Sequence, residues 1–538
     1  MESAQKSNPQ AKRTRTNVKQ SKFGCFTCKK RRIKCDEAKP SCQRCLSYNL
    51  SCDGYPRGAP PGSLFERTPS SHLSQNPSHP RSRYAHLACI VFSQGPRRAK
   101  SEIEVAFWNR IVPQLIHSTP AVRAAAAAFG ASYEEHMLRP SRACLGLRTA
   151  QQYSRALQLV QLEVSSVRHN SLPCIVACLL MAFAEVIQQR SDRAYLHLQG
   201  ASALMAARDE EARASIDDEG ISALFEKLNL HSATYLMTRS PDLPCLYSAP
   251  YSASLSPDQS LYKMLHGCYR FISTAWQYKY VNPLLIPSYL FIEQARHLGN
   301  LRHWLSCHQL DPSRPIADSQ NEQLLVLRAQ CLAGMIYSAN ALASHETCYD
   351  GYELEFQQII ESGQALLEIQ QADNSLSSSG GLSYFTPEMG IIQPLFLTAL
   401  KYRHSFWRRK ALDLLLKSGR EGPWCGAIEA RILQVVIEAE ERILSDLPSE
   451  KFGPHQPSVI TESQRVHLCW VVGYVDQDDN IIVAGGGGVA RAHSAKVQLC
   501  KCHDVDELLS SGKRGPSMSF WQDQAHWHTW LETVSLPE

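Results

Sequence analysis

Apolar residues recur at spacings of three and four along most of this 538-residue chain. That period matches one face of an α-helix, where residues three and four apart sit above one another. It predicts helices over Glu102 to Ile116, Ala121 to Leu138, Thr149 to Val167, Leu172 to Gln189, Arg193 to Ala207 and Ile221 to Met237. Further on it predicts Gln323 to Ser344, Glu355 to Gln370, Ile391 to Ser418 and Ala427 to Leu447. Pro140, Pro173, Pro241 and Pro244 fall at or between the ends of these segments, where a missing N–H breaks no helical bond. Few stretches alternate with period two, so a large all-α domain over 85–538 is the expectation. The longest apolar run, Leu172 to Ile187, contains Pro173 and Glu185 and falls short of the ~20 residues a bilayer crossing needs. It reads as a core helix.

The helical period fails in two places. Residues 56–84 are rich in Pro, Ser and Gly, as in Ala59-Pro60-Pro61-Gly62-Ser63 and Pro77-Ser78-His79-Pro80, and read as a disordered linker. No apolar heptad is sustained between Tyr55 and Ser101, so no coiled coil is expected there and any dimerisation must use another surface. The stretch 471–501 combines high glycine content with poor periodicity. It reads as a surface loop insertion, or as a retained intron in the gene model. Within it, Gly485 to Gly488 lacks the Lys-Ser/Thr of a phosphate-binding loop and is expected to be a flexible loop. The acidic runs Asp209-Glu210-Glu211 and Asp217-Asp218-Glu219 fit a solvated connection between helices.

Composition adds a compartment and a partner class. The chain is 44% hydrophobic and 20% charged, enough apolar material for a large core, and its length allows roughly two to four domains. The first twenty residues are polar and cationic without the apolar run of a secretory signal, so a cytosolic start is expected. In a reducing compartment 19 cysteines do not build a disulfide framework; clustered ones read as metal ligands and scattered ones as small buried hydrophobes. The formal net charge of +5 is unevenly placed: residues 1–60 carry +10 and the rest −5. Only the N-terminal end is suited to a polyanion. Residues 1–20, with Lys12, Arg13, Arg15 and Lys19, read as a disordered basic arm.

The clustered cysteines are Cys25, Cys28, Cys35, Cys42, Cys45 and Cys52, spaced C-x2-C-x6-C twice over, with Lys29, Lys30, Arg31, Arg32 and Lys34 between the second and third. Structural zinc is tetrahedral and favours thiolate, so six cysteines complete one site with two to spare, or serve two ions. Two ions need eight bonds, which six thiolates supply only if two of them bridge, one from each half by symmetry. The segment 21–55 has little apolar material beyond Phe23, Phe26, Ile33, Leu46 and Leu50, so metal is its expected source of stability. A disulfide scaffold and a single-zinc knuckle in a larger protein are the competing readings. Elsewhere Cys500, Cys502 and His503, with His493 in reach, lack a second ligand pair at zinc spacing. No strong catalytic motif is present, and no enzyme is expected.

The run Gly24-Cys25-Phe26-Thr27-Cys28-Lys29-Lys30-Arg31-Arg32-Ile33-Lys34-Cys35-Asp36-Glu37, then Lys39-Pro40-Ser41-Cys42-Gln43-Arg44-Cys45 and Cys52-Asp53-Gly54-Tyr55, resembles the fungal binuclear zinc cluster of transcription regulators. The resemblance implies two zinc ions bridged by Cys25 and Cys42, and a short helix after each C-x2-C pair. It implies major-groove reading of a CGG-type triplet by Arg31 and Arg32, with Lys29 and Lys34 beside phosphates of double-stranded DNA. The second reading position is often lysine in that family and is Arg32 here; arginine keeps a bidentate reach to guanine O6 and N7 but with its own geometry. More loosely, Tyr153-Ser154-Arg155-Ala156-Leu157-Gln158-Leu159 and Tyr195-Leu196-His197-Leu198-Gln199-Gly200-Ala201-Ser202-Ala203-Leu204 resemble two helices of the fungal transcription factor domain. That likeness implies a regulatory role through an effector or through repression of an activating surface. Together they imply a nuclear regulator of RNA polymerase II genes that meets the transcription machinery or co-regulators and no membrane. The alternative is a zinc-stabilised interaction protein that reads no bases.

Overall fold

The computed structural model describes residues 25–31, 33–38, 41–48, 50–53, 80–94, 105–138, 146–166, 171–188, 190–207, 216–236, 256–313, 315–376, 385–386, 389–441, 460–475, 481–482, 494–511 and 526–536. Expectations for the arm 1–20, for Arg32, for most of the linker, for Asp209 to Glu211 and for Gly485 to Gly488 lie outside these residues. The chain divides into two compact units, Met1–Ser74 and Gln75–Glu538. The first holds two five-residue helices, α1 (Phe26–Lys30) and α2 (Gln43–Ser47).

The second unit is mostly helical. Its first half contains α3 (Pro80–Gln94), α4 (Val112–Ser118), α5 (Pro120–Tyr133), α6 (Gly146–Ser166), α7 (Leu172–Ile187), α8 (Ser191–Ala206) and α9 (Ile216–Leu236). The apolar run of α7 is buried from Pro173 to Ile187, and α5, α6 and α8 pack around it. A helix apolar on every side belongs in such a centre. Alanine-rich α5 is buried from Ala124 to Tyr133, and its small side chains let neighbours approach closely. At Gly130 a Cβ would stand 2.1 Å from the carbonyl oxygen of Tyr84, so only glycine admits α3 there. Phe92 of α3 stacks on Trp108 at 4.3 Å and on Phe129 at 4.6 Å. Helix α3 begins inside the expected linker. Pro80 occupies its first turn, where proline is tolerated, and Tyr84, Ala85, Ala88 and Phe92 turn inward.

The second half contains α10 (Pro257–Ala275), α11 (Ser288–Cys307), α12 (Ser319–Ala339), α13 (Glu353–Leu376), α14 (Ile392–Lys401), α15 (Ser405–Lys417) and α16 (Gly426–Glu441). Helices α10 to α13 and α14 to α16 share one hydrophobic cluster. The single helix expected over Ile391 to Ser418 is two, parted at Tyr402 to His404 where the chain turns Arg403 inward. A small sheet of β1 (Phe385–Thr386), β2 (Arg420–Glu421) and β3 (Trp424–Cys425) ties the halves together. Phe385 lies 5.8 Å from Phe129 and 6.4 Å from Phe183, and Arg420 donates to the carbonyl of Val186 at 3.2 Å.

The stretch expected to be a loop insertion supplies strands instead. β4 (Leu468–Val475), β5 (Ile481–Ile482), β6 (Ser494–Cys502) and β7 (Trp527–Ser535) form an antiparallel sheet in the order β5-β4-β6-β7. Pairing runs from Leu468 opposite Cys500 to Val475 opposite Ser494, with a register shift between Val471 and Gly473. Along β6, Ala495, Val497 and Leu499 are buried while Lys496 and Gln498 are half-buried, a period-two pattern hidden beside the glycine run. Val497, Leu499 and Val534 join the core of the second half. A short α17 (Val505–Ser510) follows β6.

Candidate metal centre and nucleic-acid interface

Each half of the small unit begins alike. Cys25 precedes α1 in an extended conformation, and its Sγ accepts the Cys28 amide at 3.4 Å; Cys42 precedes α2, and its Sγ accepts the Cys45 amide at 3.2 Å. A thiol thus fills the capping place that serine or aspartate takes elsewhere, receiving an otherwise orphaned N–H. Cys35 Sγ accepts the amides of Cys25 and Glu37, each at 3.4 Å, and Glu37 turns the chain with a φ of 62°.

These turns gather all six predicted cysteines. Cys25, Cys28, Cys35 and Cys42 bring their sulfurs within 4.8 Å of one another, and so do Cys25, Cys42, Cys45 and Cys52. The two quartets share Cys25 and Cys42. Cys25 and Cys42 are 3.6 Å apart, Cys25 and Cys45 3.8 Å, and Cys28 and Cys42 3.6 Å. Tetrahedral zinc with bonds of about 2.3 Å sets its sulfurs about 3.8 Å apart, so the donor set fits that ion. Cys25, Cys28, Cys42 and Cys45 have no exposed surface, whereas Phe26 is 50% and Leu46 54% exposed. The core of this unit is sulfur, with Ile33 packed against it. Burial pushes the Cys25 thiol up to about 12 and raises Cys28 and Cys42 as well, so a metal must displace protons to bind. Among the described residues no other group gathers as metal ligands: Cys500 and Cys502 are buried in β6, His503 faces His528, and His493 lies outside them.

The basic residues stand on the surface of this frame. Lys29 and Lys30 occupy the last turn of α1, Arg31 caps it, and all three are exposed, as is Lys34. The Arg31 guanidinium lies 5.0 Å from the ring centre of Tyr48, at the end of α2. Sequence reasoning missed Tyr48, and missed two supports of the fold. Asp36 accepts the amides of Gln43 at 2.9 Å and Arg44 at 3.1 Å, fastening the start of α2. Desolvation opposes ionisation there, but these amides hold its carboxyl below the usual range. Thr27 Oγ1 donates to Ser51 O at 3.2 Å and accepts the Asp53 amide at 2.9 Å, closing the C-terminal strand of the cluster onto α1. An Asp after the third cysteine was the one available signal.

The two helices with family likeness also meet. Tyr153 of α6 and His197 of α8 hydrogen-bond at 2.7 Å, and burial draws His197 down to about 4. That contact ties α6 and α8 together beside α7.

Two segments of the chain resemble known domains. Residues 23–60 match the model of the Fungal Zn(2)-Cys(6) binuclear cluster domain, and residues 86–272 that of the Fungal specific transcription factor domain. An uncharacterized transcriptional regulatory protein of Schizosaccharomyces pombe is 33% identical over 138 residues, covering 22% of this chain and 25% of its own. The transcriptional regulatory protein moc3 of the same yeast is 41% identical over 80 residues, 14% of this chain and 16% of its own. The aspercryptin biosynthesis cluster-specific transcription regulator atnN of Emericella nidulans is 57% identical over 35 residues, 6% of each chain. The chain thus spans a quarter or less of these relatives. No solved structure matches. Among the described residues no helix is long and apolar enough to cross a membrane. Residues 23–60 and 86–272 are thus similar, in that order, to the two domains of the fungal zinc-cluster transcription regulators.

Proposed function

We propose that this protein is a nuclear, sequence-specific DNA-binding regulator of RNA polymerase II genes that reads CGG-type triplets in the major groove. The observation that carries the reading is the pair of sulfur quartets sharing Cys25 and Cys42 beneath an exposed basic turn. Cys28 and Cys35 complete one tetrahedron and Cys45 and Cys52 the other, giving two zinc ions per chain. The ions fold a unit that has almost no apolar core, and so hold the basic turn rigid. Arg31 and Arg32 meet guanine edges, and Lys29 and Lys34 neutralise phosphates. The organisation follows: a basic arm over 1–20, the reader over 21–55, a linker over 56–84 and a regulatory domain over 85–538 that meets co-regulators.

Metal analysis of the purified full chain is expected to return two zinc ions per chain; one would sink the shared-sulfur arrangement. Duplex binding is expected to favour CGG over scrambled sequence and to weaken with salt, with a slope of ~0.9 per phosphate neutralised. Arg31→Ala and Arg32→Ala each remove the preference, at roughly 1–3 kcal/mol per lost bidentate contact. Equal binding of wild type and variants to both duplexes would return the protein to a zinc-stabilised interaction role.

A further inference from the structure

The second unit contains a recess of about 770 Å³, its open mouth included, whose lining comes from α9, α10, α12, α14, the start of β4 and the connections beside them. Its walls are mainly apolar, with Tyr269, Ile272, Trp276, Tyr337, Tyr349 and Leu400 among them, yet two lysines, Lys279 and Lys401, also line it. Lysine is seldom placed in such a wall without a partner.

Their partners are shared. Glu346, fully buried, meets Lys401 at 2.7 Å, Arg403 at 3.0 Å and Lys279 at 3.8 Å, and accepts the Tyr280 hydroxyl at 2.7 Å. The other fully buried carboxylate, Glu440, meets Arg403 at 3.2 Å and Arg408 at 2.8 Å and accepts the Val466 amide at 2.7 Å. Four buried cations therefore face two buried carboxylates. Negative charge at the margin comes from three partly exposed groups. Glu462 is occupied by the amides of Glu346 and Thr347 and lies 3.4 Å from His467; Glu441 pairs with Arg409 and stands 3.9 Å from Arg408; Asp350 pairs with Arg465. Burying cations in excess of carboxylates is costly unless a further anion joins them.

Lys279 is the cation with the poorest pairing. Beyond the long contact to Glu346 it donates to Asn340 O at 3.1 Å and lies over the rings of Tyr280 and Tyr349 at 4.7 and 5.3 Å. Burial draws it down to about 8, against the pull of Glu346. The backbone beside it is strained: Tyr280 has a φ of 58°, a conformation costing an aromatic residue about 1–3 kcal/mol. Its hydroxyl on Glu346 and its amide on Ala343 O at 3.1 Å hold it there, and the turn aims Lys279 at the recess.

We propose that this recess is a binding site for a small organic carboxylate with a flat apolar body, its carboxylate on the Lys279 ammonium and its body between Tyr269, Trp276 and Ile272. The few polar groups of the recess converge at one end of an apolar wall, the pattern that fixes orientation in small-molecule sites. The inference stands apart from DNA reading, since every residue it uses lies in the second unit.

The test is thermal shift and calorimetric titration of the zinc-loaded full chain with benzoate, phenylacetate, cinnamate and indole-3-acetate. Phenylacetamide and inorganic phosphate serve as the neutral and the bodiless controls. At least one acid is expected to raise Tm by about 2 °C at saturation while both controls leave it unchanged. Lys279→Met, which removes a surplus buried charge, abolishes the rise. Ile272→Trp, which fills the wall without touching the charges, abolishes it too and gives a second route should Lys279→Met not fold. A flat response to all four acids, an equal rise with phenylacetamide or phosphate, or an undiminished rise in either folded variant would overturn the proposal.

Discussion

Arg31 lies over the Tyr48 ring, and that single contact joins the exposed turn of α1 to the end of α2. A cation–π contact at a surface is worth about 0.5–1 kcal/mol and narrows the directions the guanidinium can take. Tyr48→Ala is therefore expected to cut the proposed preference for CGG over scrambled duplex about three-fold, while Tyr48→Phe keeps it; anisotropy titrations at one salt concentration compare them. A second residue sets a pH dependence. Burial lifts Glu429 of α16 to about 8, with Arg420 opposing. Its folded pKa is above the unfolded one, so its contribution is complete below about 4.5 and fades as pH rises through 8. Glu429→Gln removes that decline: relative to wild type it gains about 3–4 kcal/mol between pH 5 and pH 8, read from denaturant melts at both. At this scale the gathering of the six cysteines was legible from their spacing. Tyr48 and Thr27 were not, because each acts across a chain reversal that local sequence does not describe, and Asp36 offered only its place after the third cysteine.

Helix existence was easier to read than helix limits. The runs under α5, α7 and α8 keep their apolar spacing throughout and lie close to where that spacing puts them. Helix α10 was missed although Ser256 and Gln259 form a capping box at its start. The break between α14 and α15 carries no proline or glycine; its cause is the buried pairing of Arg403, a tertiary demand. Strand β6 was missed because five alternating residues are a weak signal beside four glycines. Gly130 gives the test of helix packing. Gly130→Ala forces α5 and α3 apart against a backbone atom and is expected to destabilise the second unit by about 3 kcal/mol, seen as a lowered urea midpoint. Zinc content should not change.

The two compact units are stabilised by unlike means, sulfur in one and apolar burial in the other. Chelation at neutral pH is expected to unfold the small unit alone. Proton exchange at the amides of Cys28 and Cys45 should become fast, while the main thermal transition stays within about 1 °C. In the large unit the closing contacts are long in sequence. Phe385 covers Phe129 and Phe183, and Arg420 takes up a carbonyl at the end of α7 more than two hundred residues earlier. The family match ends at residue 272, well before either of these residues. A protein cut at that boundary would keep the recognisable segment and lose its lid, leaving two aromatic faces and the end of α7 open to water. The matched segment is thus not expected to be a unit of folding: residues 75–272 alone should self-associate, and adding 273–538 in trans should restore a single species on a sizing column.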